Sequence, residues 1–315
     1  MASVIAVDLG GTSIRAALYP TETPQPRQQI KISTHPEQGP SAVLERLTQA
    51  IEGLIAQCEG GARIGIAAPG PLDFERGIIV TAANLPGWSN VPLRQLLETR
   101  FECPVRLGND ANLAALGEWR FGAGQGSSLL LYLTISTGIG GGIVSHGKLL
   151  LGARGYAAEL GHVTVHPDGA PCGCGKSGHV EAVAAGPAIA RRALSLIQDG
   201  MTSTLGRLVK EGEALTAEQV GIAANDGDSL ARAVIEETAS NIGCYLADLL
   251  HIFNPDRVVL GGGVTRVGSL FFEALERSMR ARTMHEAYLN GLQVLPAALG
   301  DDAGLIGAML LAREG

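Results

Sequence analysis

Aromatic residues are scarce in this chain: six Phe, two Trp and five Tyr make up 4% of its 315 residues. Charged residues are also few, at 17%, and they sum to −7 with no run of five Lys or Arg. The basic footprint of a nucleic-acid-binding protein is therefore missing, and no nucleic-acid partner is expected. No apolar run approaches the roughly 18 residues that a membrane span requires. The stretch from Met1 to Asp8 lacks a basic n-region and reaches an acidic residue early, so no secretory leader is read and a cytoplasmic location without membrane association is expected. What the chain has in quantity is aliphatic: hydrophobic residues reach 46%, too many for a disordered chain and enough for a sizeable core. At roughly 150 residues per domain the length points to two domains, with a cleft expected between them.

Glycine is the other abundance, at 43 of 315 positions, about twice the roughly 7% of average proteins, and without a collagen-like period. Its placement is informative. Val4 to Val7 reads as a strand, Asp8-Leu9-Gly10-Gly11-Thr12 as a tight turn, and Ser13 to Tyr19 as a second strand. The pattern returns later: Leu129 to Ile135 is strand-like, Ser136-Thr137-Gly138-Ile139-Gly140-Gly141-Gly142 follows, and Ile143-Val144 continues as a short strand. Two such units suggest a duplicated architecture. Between and after them strands alternate with helical stretches, including Ala111 to Phe121, Ser229 to Phe253 and a last helix Ala303 to Glu314, which makes the chain α/β. The strand Arg257 to Leu260 runs into a third glycine cluster, Gly261-Gly262-Gly263. Pro20 to Gln29 reads as a surface loop and Met201 to Gly227 as a polar helical excursion; neither advertises chemistry.

A carboxylate at a strand end beside a turn of unobstructed backbone N–H groups suits a phosphate and its Mg²⁺, which is what Asp8 and Gly10 to Thr12 offer. Three glycine clusters at strand ends strengthen the case for nucleotide-phosphate binding over ordinary turns. Two look-alikes fail: Ala170 stands where a phosphate-binding P-loop needs its first glycine, and Gly173, Gly175 and Gly178 match a dinucleotide fingerprint without the strand that must precede it. Asn109-Asp110 lies at a strand-to-helix junction. An ordinary carboxylate, with a pKa of about 4, can accept the proton of an attacking hydroxyl, which moves late in phosphoryl transfer. Asp110 serves as that base or merely caps the helix beginning at Ala111, and the residues alone leave both open.

Five cysteines is an odd number, and Cys172 and Cys174 are separated by one glycine, too close for an easy mutual disulfide. With His162 and His179 nearby they supply two thiolates and two imidazoles, a sufficient set for a tetrahedral structural zinc. Glu159 and Glu181 bracket the loop and suit hydrogen bonds from a polyol. Cys58, Cys103 and Cys244 are solitary and read as buried apolar residues.

Taken together, D-L-G-G-T, the Asn-Asp pair, S-T-G-I-G-G-G, E-L-G-H, the C-G-C-G loop followed by Glu and the late G-G-G resemble the sugar kinases of the ROK family, glucokinase-like and of bacterial type, over essentially the whole chain. The resemblance implies an α/β, duplicated actin-like or ribonuclease H-like ATPase fold whose two domains flank a cleft where ATP and sugar meet. The expected small domain is residues 1–110 with a C-terminal helix at about 300–315; the larger, carrying the zinc loop, is 111–299. By the same resemblance the activity is ATP-dependent phosphorylation of a hexose 6-hydroxyl, with glucose first, and N-acetylglucosamine, N-acetylmannosamine, fructose or mannose as alternatives discriminated near Gly70, Asn84 and Tyr156. Asp110 becomes the general base, with Asn84, Asn109, Glu159, His162 and Glu181 on the other sugar hydroxyls. Gly10, Gly11, Thr12, Thr137 and Gly138 contact ATP phosphates, Asp8 lies near Mg²⁺, and Gly262 and Gly263 line the nucleotide pocket. The family's zinc loop ends in a third cysteine where this chain has His179, so the implied Zn²⁺ ligands are His162, Cys172, Cys174 and His179. A homodimer is implied. Repressors of the family carry an N-terminal helix-turn-helix, for which a first strand at Val4 is expected to leave no room.

Overall fold

The computed structural model describes residues 2–314 except Glu59, Ala83, Glu211 and Glu213, with Lys210 described by its backbone alone. Its first half runs β1 (Ser3–Leu9), β2 (Ser13–Tyr19), β3 (Gln28–Ser33), α1 (Pro40–Ile55), β4 (Ala62–Ala68), β5 (Leu72–Asp73), β6 (Ile78–Thr81), β7 (Ser89–Val91), α2 (Leu93–Phe101), β8 (Val105–Asn109) and α3 (Asp110–Phe121). The second runs β9 (Leu129–Ile135), β10 (Ile139–Ser145), β11 (Lys148–Leu149), α4 (Val180–Ala184), α5 (Gly186–Gln198), α6 (Gly206–Lys210), α7 (Ala217–Asn225), α8 (Ser229–Phe253), β12 (Arg257–Gly261), α9 (Ser269–Arg282), β13 (Gln293–Pro296) and α10 (Ala303–Arg313). Residues 1–126, 142–158 and 298–315 form one compact unit, and 127–141 with 159–297 the other.

The duplication read from the glycine turns is present in the strand topology. One sheet has the order β3-β2-β1-β4-β8 and a second the order β11-β10-β9-β12-β13, so the strands correspond one for one. In the first, β1 pairs antiparallel with β2 and parallel with β4, and β4 pairs parallel with β8. In the second, β12 is parallel to both β9 and β13, and β10 pairs antiparallel with β11. A small sheet of β5, β6 and β7, unread in the sequence, is inserted after β4.

Strand alternation divides the core of the first unit in two. Ile5, Val7, Leu9, Ile64 and Ile66 face one way and pack with Val43, Leu47 and Ile51 of α1. Val4, Ala6, Ala17 and Ala67 face the other way and meet α3 and α10. Apart from Val4 and Tyr19 that second face presents small side chains, and the helices come close to it. A Cβ on Gly65 of β4 would collide with the Ala308 carbonyl of α10, and one on Gly307 of α10 with the Leu113 carbonyl of α3. These contacts place α3, and with it Asp110, in the first unit.

The glycine segment after β9 is shorter than expected, because β10 already begins at Ile139 and takes in Gly140 to Gly142. Gly142 is a packing position there: a Cβ would lie 2.5 Å from that of Ala115 in α3. Among the described residues, no helix is long and apolar enough to cross a membrane.

Gly307→Ala is expected to lower the unfolding free energy by about 1–3 kcal/mol through overpacking. Gly304→Ala in the same helix, whose Cβ would meet Asp8 at an ordinary 3.7 Å, is expected to gain up to about 1 kcal/mol of helix propensity. Urea unfolding of the two variants distinguishes these outcomes.

Candidate active site

In the first unit the candidate residues gather at the carboxyl ends of the parallel strands β1 and β8. Asn109 is the N-cap of α3: its side chain accepts from Asn112 N (3.1 Å), and Asp110 occupies the helix's first position. The N-cap position of α3 is therefore Asn109 rather than Asp110. The Asp110 side chain is exposed, and its Oδ1 accepts from Ala111 N at 2.8 Å. Gly70 lies against Asn109, where a Cβ would stand 3.2 Å from Nδ2.

The Gly10–Thr12 turn is braced by Thr34, fully buried, whose Oγ1 donates to Gly10 O (2.6 Å) and whose N donates to Thr12 O (3.0 Å). Gly10 N is spent closing the turn onto Ser13 O (3.0 Å), so Gly11 and Thr12 are the better phosphate donors. Asn84 rests against this turn. A Cβ on Gly11 would lie 2.7 Å from that of Asn84, which is why only glycine fits.

Asp8, at the end of β1, is ion-paired with Arg15, its antiparallel neighbour on β2; Arg15 also reaches Asp302 at 3.5 Å. Burial holds the Asp8 carboxyl above its ordinary range, opposed by the Arg15 charge and hydrogen bond. Arg15 was unassigned in the sequence, where only the two-residue alternation and hairpin register could have pointed to it.

In the second unit, Glu159, Gly161 and His162 sit on a short helical turn. Tyr245, fully buried in α8, donates to Leu160 O (2.8 Å), and a Cβ on Gly161 would strike the Ile139 carbonyl. The Glu159 carboxyl is pushed up by desolvation, with His162 opposing and Glu181 reinforcing the shift.

Glu181, in the first turn of α4, is engaged twice: Oε2 accepts from Ile139 N (3.0 Å) and Oε1 from the Cys172 thiol (3.1 Å). It ties the cysteine loop to the Thr137–Gly138 turn, and a Cβ on Gly138 would come within 2.6 Å of Oε2. Burial, with Glu181 contributing, pushes the Cys172 thiol up to about 12.

His162, Cys172, Cys174 and His179 bring one donor atom each to within 4.8 Å of one another. Cys172 Sγ lies 3.6 Å from His162 Nδ1, and Cys174 Sγ 3.3 Å from His179 Nδ1. A tetrahedral zinc with Zn–S of about 2.3 Å and Zn–N of about 2.05 Å separates its sulfur and nitrogen ligands by about 3.6 Å. The donor set therefore fits zinc in type, number and spacing.

Thr137 and Gly263 line one cavity of about 620 Å³. Its wall includes Pro187 and Ala190 of α5 and Ile222 and Asn225 of α7. Gly262 (φ 89°), just outside β12, turns the chain where a Cβ would strike the Ile135 carbonyl. Sequence reasoning passed over the Met201–Gly227 segment, yet α7 within it forms a cavity wall. The signal available was the spacing of Glu218, Gly221, Ile222 and Asn225 on one helical face.

The sequence profile of the ROK family matches residues 4–315. A glucokinase of Thermotoga maritima is 37% identical, over 99% of this chain and 97% of the relative. A crystal structure of a ROK family glucokinase from Streptomyces griseus, in complex with glucose and AMPPNP, superposes with a TM-score of 0.84 at 36% identity, covering 99% of this chain and 100% of that one. The chain shares with it the duplicated, actin-like α/β fold. A xylose repressor of Caldicellulosiruptor bescii is 33% identical over 79% of this chain, but the match takes in only 61% of the repressor.

Replacing Arg15 by Met leaves Asp8 buried without its counter-charge, at an expected cost of about 1–3 kcal/mol. Without the guanidinium, the folded-state pKa of Asp8 rises further above its unfolded value. Stability linked to a raised pKa is present at low pH and lost as pH climbs through the folded-state value. The deficit of the variant should therefore be larger at pH 8 than at pH 5, as read by urea unfolding at both.

Proposed function

The chain belongs to the ROK family, and on that premise we propose that it is an ATP-dependent hexose kinase that phosphorylates the 6-hydroxyl of glucose. The observation that carries the reading is Asp110, an exposed carboxylate at the first position of α3, beside the N-cap Asn109 and oriented by the bond from Ala111 N. The glucokinase relatives, matched almost end to end, support glucose as the substrate.

In the proposed reaction Asp110 accepts the proton of the sugar 6-hydroxyl as that oxygen bonds to the γ-phosphorus. The bond from phosphorus to the β,γ-bridging oxygen breaks, and ADP leaves with the electron pair. A carboxylate is a weak base, but proton transfer runs late in a loose phosphoryl-transfer transition state, so positioning matters more than basicity. The bond from Ala111 N to Oδ1 fixes the carboxylate plane. Asn84, Asn109, Glu159 and Glu181 hold the remaining hydroxyls. Because His162 Nδ1 is turned to Cys172, Nε2 is its sugar-facing nitrogen.

The turns at Gly11–Thr12 and Thr137–Gly138 receive phosphate oxygens. Mg²⁺, which would neutralise charge on the β- and γ-phosphates, would be held on the protein side by Asp8, whose Oδ2 is engaged by Arg15. His162, Cys172, Cys174 and His179 would hold a structural zinc, which would fix the loop rather than react.

Asp110→Asn is expected to lower kcat by several orders of magnitude while glucose binding, followed by calorimetry, stays within a few-fold of wild type. Near-normal turnover in that variant sinks the base assignment. Initial rates of ADP release over glucose, mannose, fructose, N-acetylglucosamine and N-acetylmannosamine decide the sugar, with glucose expected to give the highest kcat/KM. For the metal, native protein should carry one zinc per chain by elemental analysis and Cys174→Ser should lose it; absence of zinc from natively prepared protein refutes the site.

A further inference from the structure

The cavity beside Thr137 has a wall that no phosphate or sugar role uses. Glu218, Gly221, Ile222 and Asn225 follow the i, i+3, i+4, i+7 spacing of one face of α7, and all four line the cavity. The middle of this face is apolar. Ile222 is left 56% exposed although the core of the unit is well filled with aliphatic side chains, and a flat ring laid on it and on Gly221 covers that surface. The two ends of the face are polar, and both are acceptors.

At one end, Asn225 Nδ2 donates to Val267 O (3.2 Å), which settles the orientation of the amide and makes Oδ1, an acceptor only, the atom turned away from Val267. At the other end Glu218 presents a carboxylate. Its position is set by the capping box that starts α7, in which Gln219 N donates to Thr216 Oγ1 (3.2 Å) and Thr216 N donates to Gln219 Oε1 (2.9 Å).

The polarity of the helix orders these groups along a ligand. Gly186 N donates to Ser136 O (2.7 Å), and a Cβ on Gly186 would sit 3.5 Å from that of Ala217, so the start of α7 lies beside the Ser136–Thr137 turn. Asn225 is seven residues beyond Glu218, about 10.5 Å along the helix axis. Phosphate turn, carboxylate, apolar face and amide acceptor thus succeed one another as phosphate, ribose, base plane and base edge do in a nucleotide.

We infer that α7 reads the nucleotide, with Asn225 Oδ1 accepting from the exocyclic 6-amine of adenine and Glu218 accepting from a ribose hydroxyl, which selects ATP over GTP. This rests on the ATP-dependent kinase reading and names its donor-specificity residues. Guanine carries an acceptor where adenine carries the amine, so it sets two acceptors against each other and leaves both unpaired, a mismatch that sites built on hydrogen bonds reject strongly.

The test varies the nucleotide and the residue together. For the wild-type enzyme, KM for GTP and for purine riboside triphosphate, which lacks the 6-amine, should exceed that for ATP about tenfold or more, with kcat for the riboside little changed. In Asn225→Ala the KM for ATP should rise to that of the riboside, so that the difference between the two collapses. Glu218→Ala, which removes the acceptor, should likewise remove the difference between ATP and its 2′- or 3′-deoxy analogues while leaving the preference over GTP. Equal KM for ATP, GTP and the riboside in wild type, or an ATP preference that survives Asn225→Ala, overturns the inference. Calorimetric binding of ADP against inosine diphosphate gives the same comparison without turnover: an ADP preference lost in Asn225→Ala supports the inference even if no nucleoside triphosphate phosphorylates a sugar, an outcome that removes the kinase reading alone.

Discussion

Close approach of backbone to backbone is the constraint on which the first unit depends. One face of its sheet presents Ala6, Ala17, Gly65 and Ala67 beside Val4 and Tyr19, and α10 presents Gly307, so that helix and sheet meet where a Cβ would intrude. Dispersion between atoms packed this closely replaces the larger side chains that a looser interface would bury. Because α10 and α3 are locked together through Gly307 and Leu113, the N-terminus of α3 is held rigidly at the carboxyl ends of β1 and β8. Asp110 takes its position from that packing, which suits the base role proposed for it, since a reacting carboxylate must be held to within a fraction of an ångström.

A second theme is the division of labour between adjacent residues. Asn109 takes the N-cap position and Asn112 N, while Asp110 accepts only from its neighbour Ala111 N. Arg15 engages one oxygen of Asp8, lessening the cost of a carboxylate at a largely buried strand end. Glu181 couples the cysteine loop to the Thr137–Gly138 turn through its two oxygens, so a residue expected only to meet sugar also carries a structural load. The His162 turn is likewise pinned from α8 by Tyr245. Order in the cysteine loop is thereby transmitted to the residues proposed to hold substrate.

Much of this was legible beforehand where chemistry is local. Strand alternation, the paired glycine turns and the long helix Ser229–Phe253 follow from periods of two and 3.6 residues, which neighbours in the chain express. The four candidate metal ligands declared themselves by type and spacing, and their donor atoms do converge. What was misread depended on distant partners. Gly140 to Gly142 look like a loop until β10 is seen to take them in, with Leu160 against Gly141 and α3 against Gly142 needing their missing side chains. The small β5–β7 sheet and the edge strand β13 are too short to show a period. Arg15 and the inner face of α7 carry ordinary surface residue types, and only their surroundings give them a role.

The sequence by itself determined the duplicated α/β order, the family to which the chain belongs and the kinds of group available to phosphate, metal and hydroxyl, because these rest on residue identity and short-range spacing. Tertiary structure alone decided which of two adjacent polar residues caps α3, which oxygen of Asp8 is spoken for, and which helix walls the cavity beside Thr137. Those outcomes are set by hydrogen-bond competition and by contacts between residues far apart in the chain, and no local pattern encodes them.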